Sequence, residues 1–223
     1  MSEQTIAYYI CCILAFVPAI VLHEVAHGFV AYKLGDRTAK SMGRLSLNPL
    51  KHVDPFGTVI LPLILMILNM PIFGYAKPVP YNPGAFKNIR RDDFLVGIAG
   101  PFANFLMALL GSLIFHLLDP IQGLLIGNTI TLYFYVMFLP QFIMINLVLM
   151  FFNLIPIPPL DGSSIIALFI PKKHLYKWYS IQQYSMIILM IILFICPYIF
   201  NVSPFSAYLQ FTAGNLTHLL IYG

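Results

Sequence analysis

Charge is what this sequence has least of. Only 9% of its 223 residues are Asp, Glu, Lys or Arg, and 60% are hydrophobic; a soluble domain carries roughly 25% charged residues. So few charges cannot cover a water-facing surface, which excludes an ordinary soluble globular protein and makes lipid the solvent for much of the chain. A mean hydropathy of +0.86 agrees. Cysteine is scarce too. Cys11 and Cys12 are adjacent and Cys196 lies far away in an apolar run, a spacing that gives neither a disulfide framework nor a cysteine metal site. Basic residues are too few and scattered for a nucleic-acid groove, so nucleic acid is not an expected partner. No internal repeat, low-complexity linker or long polar insertion is present. The start lacks a basic n-region and does not read as a cleavable signal peptide, so the first helix is expected to be retained.

What is there is a set of apolar runs. A lipid-spanning helix needs about 20 such residues, and candidate spans lie at roughly 5–32, 93–118, 128–154 and 180–200. Two further stretches, about 57–73 and 205–222, are shorter or more polar. Lys and Arg favour the cytoplasmic side. They cluster after the first span (Lys33, Arg37, Lys40, Arg44, Lys51), before the second (Lys77, Lys87, Arg90, Arg91) and after the third (Lys172, Lys173, Lys177). These positions give an alternating path only if 57–73 does not cross; with Pro62 and Pro71 in it, that stretch is expected to be re-entrant or buried against the bundle. The fold expected is an all-α polytopic membrane protein, a helical bundle with irregular or extended loops, forming a single membrane-embedded domain over 1–223.

The first span carries His23-Glu24-Val25-Ala26-His27. Residues four apart share a helix face, so both imidazoles can bind one ion. Glu24 lies on the same arc, placed to take a proton from a water that the metal activates. The chain has only two glutamates, and an ionised group inside an apolar span costs at least ~2.5–3.5 kcal/mol on insertion scales. The blander reading is a pair of helix-end histidines bonded to loop carbonyls. Catalytic zinc uses three protein ligands and one open position, so a third ligand must come from elsewhere. Asp161 is the candidate, after the proline-broken segment Asn153-Leu154-Ile155-Pro156-Ile157-Pro158-Pro159-Leu160 and before Gly162, which permits a tight turn. Asp161 could instead cap the short helix that follows. The unpaired His-Glu-His set favours the metal role, and the Lys/Arg topology brings both segments to the same depth.

These residues resemble the site-2 protease family of intramembrane zinc metalloproteases, in its compact bacterial form without PDZ or CBS domains. The His-Glu-x-x-His helix at 23–27 and the Asn-x-x-Pro-x-Pro-x-x-Asp-Gly segment at 153–162 are that family's two signatures. Residues 43–58, the Tyr75-Ala76-Lys77-Pro78-Val79-Pro80 stretch and Gly100-Pro101-Phe102-Ala103-Asn104 are similar as well, so the likeness covers about 23 to 170. The resemblance implies a three-span catalytic core within about 5–170, with C-terminal helices over about 177–222. It implies one zinc ion held by His23, His27 and Asp161, with Glu24 as general base. It suggests Asn104 as a support for substrate backbone or oxyanion, against the alternative of interhelical glue. His52, Tyr75, Pro78 and Asn153 are candidate substrate contacts, and 75–83 a candidate edge for pairing with an unwound substrate strand. His52 could equally be a loop histidine facing water.

The function implied is an endopeptidase in a bacterial inner membrane, its site toward the cytoplasm, acting on single-span membrane proteins or signal-peptide remnants. The alternative is a non-proteolytic membrane metal-binding or transport protein. The glutamate between the histidines discriminates, because a pure ligand site has no use for it.

Overall fold

The computed structural model describes residues 2–60, 63, 64, 67, 76–125, 127–195, 197, 199 and 203–223. Among them there are helices and loops and no strand, as an all-α membrane protein requires. Three helical stretches are long and apolar enough to cross a membrane: Glu3–Lys33, Ile89–Leu125 and Thr129–Asn153. The chain is an integral membrane protein.

Helix α1 (Glu3–Lys33) starts at Ser2, whose hydroxyl accepts from the Thr5 amide at 3.2 Å, and it carries Glu3 in its first turn and Lys33 in its last. Both charges complement the helix dipole. Helix α2 (Ile89–Leu118) is capped by Asn88. Helix α3 (Leu139–Asn153) continues a helical path that begins at Thr129 and passes through a π-turn at Phe134–Phe138. The three pack on one another with α2 in the middle, and α2 also holds the short helix α4 (Ser163–Phe169).

The two faces of α2 explain this arrangement. Phe102, Leu106, Leu110, Leu113 and Leu117 form an exposed apolar stripe, while the buried face carries Gly97, Gly100, Asn104, Ala108, Gly111 and Ser112. A helix in water shows the reverse pattern. Small residues inside let helices approach closely, and polar ones bond across the interface.

Helix α5 (Lys172–Met190) begins the fourth candidate span; several residues of 180–200 lie outside those described, as does most of 57–73. The 205–222 stretch, left open by the sequence, is helical and ends in α6 (Asn215–Tyr222). Its Ala213 and Ile221 are buried with Ala108, Ile143 and Leu147, and the Leu220 carbonyl accepts from Ser112 Oγ at 2.6 Å. It packs against α2 and α3.

Candidate metal centre

Three groups from two distant segments converge. His23 Nε2 lies 3.1 Å from Asp161 Oδ2, His27 Nε2 lies 3.3 Å from it, and the two Nε2 atoms are 3.1 Å apart. Tetrahedral zinc with bonds of about 2.0–2.1 Å has ligand–ligand edges of about 3.3 Å, so the spacing suits one such ion. Among the described residues no other cluster of His, Cys, Asp or Glu has metal-binding geometry.

The hydrogen-bond network fixes what these atoms can do. His27 Nδ1 is 2.7 Å from the Val96 carbonyl, which can only accept, so Nδ1 carries the proton. His23 is set by a longer chain. Asn146 Nδ2 donates to the Phe142 carbonyl at 2.8 Å, which turns Asn146 Oδ1 toward Asn104. Asn104 Nδ2 then donates to Asn146 Oδ1 at 2.9 Å and to the Ala19 carbonyl at 3.1 Å. Its Oδ1 therefore faces His23 Nδ1 at 2.6 Å and accepts that proton. Both neutral imidazoles thus point unprotonated Nε2 atoms at each other and at a carboxylate, and Asp161 Oδ2 is buried with no hydrogen-bond partner. Three acceptors with no proton between them call for a cation. The donor set fits zinc.

Local structure brings Asp161 there. The chain after α3 folds back in successive turns, closed by the Gly162 amide donating to the Asn153 carbonyl at 2.6 Å. Gly162 has ordinary helical angles; a Cβ there would sit 2.6 Å from the Ile155 carbonyl oxygen, so room and not dihedral freedom demands glycine. The Asp161 side chain does not cap α4, whose N-cap is Gly162 without a side-chain bond. Gly100 gives α2 its close approach, since a Cβ there would lie 2.7 Å from His23 Nε2.

The other sequence-derived candidates divide. Glu24 lines a cavity of about 180 Å³ together with His27, Pro78 and Asp161, and its Oε2 accepts from the Val79 amide at 2.8 Å. Asn104 is fully buried, and both its amide hydrogens are used behind His23; this geometry makes it a support for a ligand and leaves no donor for an oxyanion. His52 is also buried, with Nε2 2.7 Å from the Ser46 carbonyl, and it does not line the cavity. Asn153 turns its amide back to the Leu149 carbonyl at 3.0 Å. Tyr75 lies outside the described residues.

The strap 76–83 is held on several sides. Arg44 donates to the Lys51 carbonyl and, at 2.6 Å, to the Lys77 carbonyl; Lys77 N donates to the His52 carbonyl at 2.9 Å; Asn82 N donates to Asp36 Oδ2 at 2.7 Å. From Lys77 to Pro80 both N–H groups are therefore engaged and the two prolines have none. A substrate strand laid along that stretch would meet no free N–H donor, and Arg44 already bonds the Lys77 and Pro78 carbonyls at 2.6 and 3.3 Å, which works against the pairing edge expected there. Sequence reasoning missed Arg44 as an anchor. It also missed Tyr81, Asp93 and Ser164, which line the cavity, and Asn146, whose only sequence signal was an amide in the middle of an apolar span.

A helical membrane bundle that holds an Nε2–Nε2–carboxylate triad beside an inward glutamate defines the class: an integral membrane zinc metalloprotease. The comparisons agree. The model of Peptidase family M50 matches residues 11–196, and the chain belongs to that family. It is 38% identical over 189 residues to "Putative zinc metalloprotease YwhC" of Bacillus subtilis, covering 83% of this chain and 80% of that one. It is similar to "Putative zinc metalloprotease Rip2" of Mycolicibacterium smegmatis, 26% identical with 95% and 81% covered. It is also similar to Rip2 of Mycobacterium tuberculosis H37Rv, 27% identical with 88% and 72% covered. No solved structure gives a significant match. Membership in a protease family decides against the transport alternative.

Proposed function

We propose that the chain is an intramembrane endopeptidase that cuts single-span membrane proteins or signal-peptide remnants within or near their spanning segments. The observation that carries this reading is the position of the triad. His23 and His27 lie inside a spanning helix, and the neighbouring helix α2 turns apolar side chains outward along the same bundle. One ion is expected, on His23, His27 and Asp161. The basic loops after α1 and before α2 flank the site, which supports a cytoplasm-facing orientation in a bacterial inner membrane.

When bound, zinc supplies Lewis acidity, lowering the pKa of water and polarising a peptide carbonyl. The chain's own residues do the rest. Asp161 and the two Nε2 atoms present lone pairs to one point. Val96 and Asn104 keep the imidazole protons on Nδ1, away from that point. Glu24 faces the cavity next to His27, placed to take the proton of the attacking water and to return it to the leaving amine. The Val79 amide holds Glu24 Oε2 and leaves the other oxygen for this task.

The test is purified protein in vesicles with a single-span substrate, wild type against Glu24→Gln, with fragments sized by mass. Wild type is expected to give one cut near the span, and Glu24→Gln a loss of at least about 100-fold in rate with zinc retained. Cleavage that Glu24→Gln leaves unchanged, or cuts confined to soluble peptides, would overturn the reading.

A further inference from the structure

The cavity beside the triad has a second polar group that the chemistry above does not use. Asp93 lines it, only 2% exposed. Its Oδ1 accepts from the Tyr81 hydroxyl at 2.9 Å and its Oδ2 from the Tyr179 hydroxyl at 3.0 Å. Burial, with Asp93 next in effect, holds the Tyr81 pKa well above the usual range, so that phenol remains a donor. Neither phenol brings a charge, and among the described residues no Lys, Arg or His forms an ion pair with Asp93. A carboxylate offers about four lone-pair sites, so the two phenols orient it and leave capacity on each oxygen. Ser164 lines the same cavity; its Oγ is buried and has no partner, whereas buried polar atoms are as a rule hydrogen-bonded.

The charges can be balanced. A divalent ion on the triad would be offset by Asp161 and Glu24, which leaves Asp93 as a third carboxyl with no ion-pair partner among the described residues. A buried carboxylate without a counter-charge, next to a free hydroxyl, is complementary to a group with a positive charge and several N–H donors. The cavity's volume of about 180 Å³ is below the usual range for small-molecule pockets and fits one extended side chain.

We propose that Asp93 and Ser164, with Tyr81 and Tyr179 orienting the carboxylate, form a specificity pocket that takes a lysine or arginine side chain of the substrate residue next to the scissile bond. This rests on the proteolytic reading and adds a substrate preference to it. Asp93 comes from α2, Ser164 from α4, Tyr81 from the strap and Tyr179 from α5, so the pocket is built where four elements meet.

The experiment uses one single-span substrate with Lys, Gln, Leu or Glu placed at each position flanking the cut. It compares kcat/KM for wild type, Asp93→Asn and Ser164→Ala, with zinc content measured in each. At one flanking position wild type is expected to favour Lys over Leu by about 30-fold or more, the scale of a desolvated charge pair, and to reject Glu. Asp93→Asn is expected to bring the Lys-to-Leu ratio near one and to admit Glu, and Ser164→Ala to lower the ratio several-fold, with zinc content unchanged in both. A wild type with no lysine preference overturns the pocket. So does an Asp93→Asn enzyme in which all substrates slow together at a constant ratio, the result expected of a purely structural brace. If Asp93→Asn does not fold, Ser164→Ala decides, and an unchanged ratio there overturns it. A zinc-loaded wild type that cleaves no substrate yet binds the Lys form over the Leu form would fell the proteolytic reading and leave the pocket standing.

Discussion

A histidine binds metal through the nitrogen that lacks a proton, and here main-chain carbonyls decide which nitrogen that is. The Phe142 and Ala19 carbonyls orient two asparagines, and the asparagines orient His23. Asn146→Ala removes the first link, frees Asn104 to turn its amide around, and is expected to weaken zinc binding by about 10–100-fold, read by competition with a chelator. Gly100→Ala acts more bluntly: its methyl would press on both imidazoles, and zinc is expected to be lost while helix content is kept, by circular dichroism and metal analysis together. The legibility of the site follows from the same chemistry. His23, Glu24 and His27 were readable because i, i+1 and i+4 on one helix are a local relation. Asp161 was readable because a motif demanded a third ligand. Asn146, Asp93 and Ser164 were not, because their meaning comes from partners 42 to 86 residues away or from a cavity that no local pattern encodes.

The strap is irregular over 76–82 and is held by side chains of Arg44, Glu24, Asp93 and Asp36. With no ladder to hold it, its position depends on Arg44 and Asp36. Arg44→Gln is expected to loosen 76–83, seen as faster backbone hydrogen exchange there and a several-fold fall in activity without loss of zinc. Asp36 adds a pH dependence. Burial raises its pKa, but donors from Thr38 and Asn82 outweigh this and hold it below its ordinary 3.8. A depressed folded-state value means that the anchor is fully in force above about pH 4 and is lost as pH falls through the folded value. Exchange in the strap is expected to rise in that acid range, and Asp36→Asn to give the same rise at neutral pH. The expectation of a pairing edge at 75–83 came with the family resemblance of that stretch. What the sequence could not reveal is that Glu24 and His52 already take the two N–H groups between Lys77 and Pro80.

At the scale of the whole molecule, three of the four candidate spans, 5–32, 93–118 and 128–154, fall on helices long and apolar enough to cross, while among the described residues 180–200 holds the shorter apolar helix Tyr184–Leu193. The inverted faces of α2, apolar outside and small or polar inside, were latent in the sequence, but the choice of neighbours was not. The candidate metal ligands bridge α1 and the loop that follows α3, so a bound metal should stabilise the bundle as well as serve the reaction. A ligand held at 100 times its dissociation constant stabilises the folded state by about 2.7 kcal/mol. Chelation is therefore expected to lower the midpoint of thermal unfolding in detergent by several degrees, and readdition of zinc to restore it. Glu24→Gln, which keeps all three ligands, is expected to show the same dependence on metal as wild type.

The path of the chain has a consequence for biosynthesis. Two of the three ligands are made early and the third only after the last helix of the core. A ribosome that has released α1 and α2 into the bilayer has produced two of the three candidate ligands, histidines that have no carboxylate to complete the site. The newborn polypeptide is in this way harmless to its neighbours until residue 161 has been translated and folded back, and hydrolytic power arrives together with the finished core.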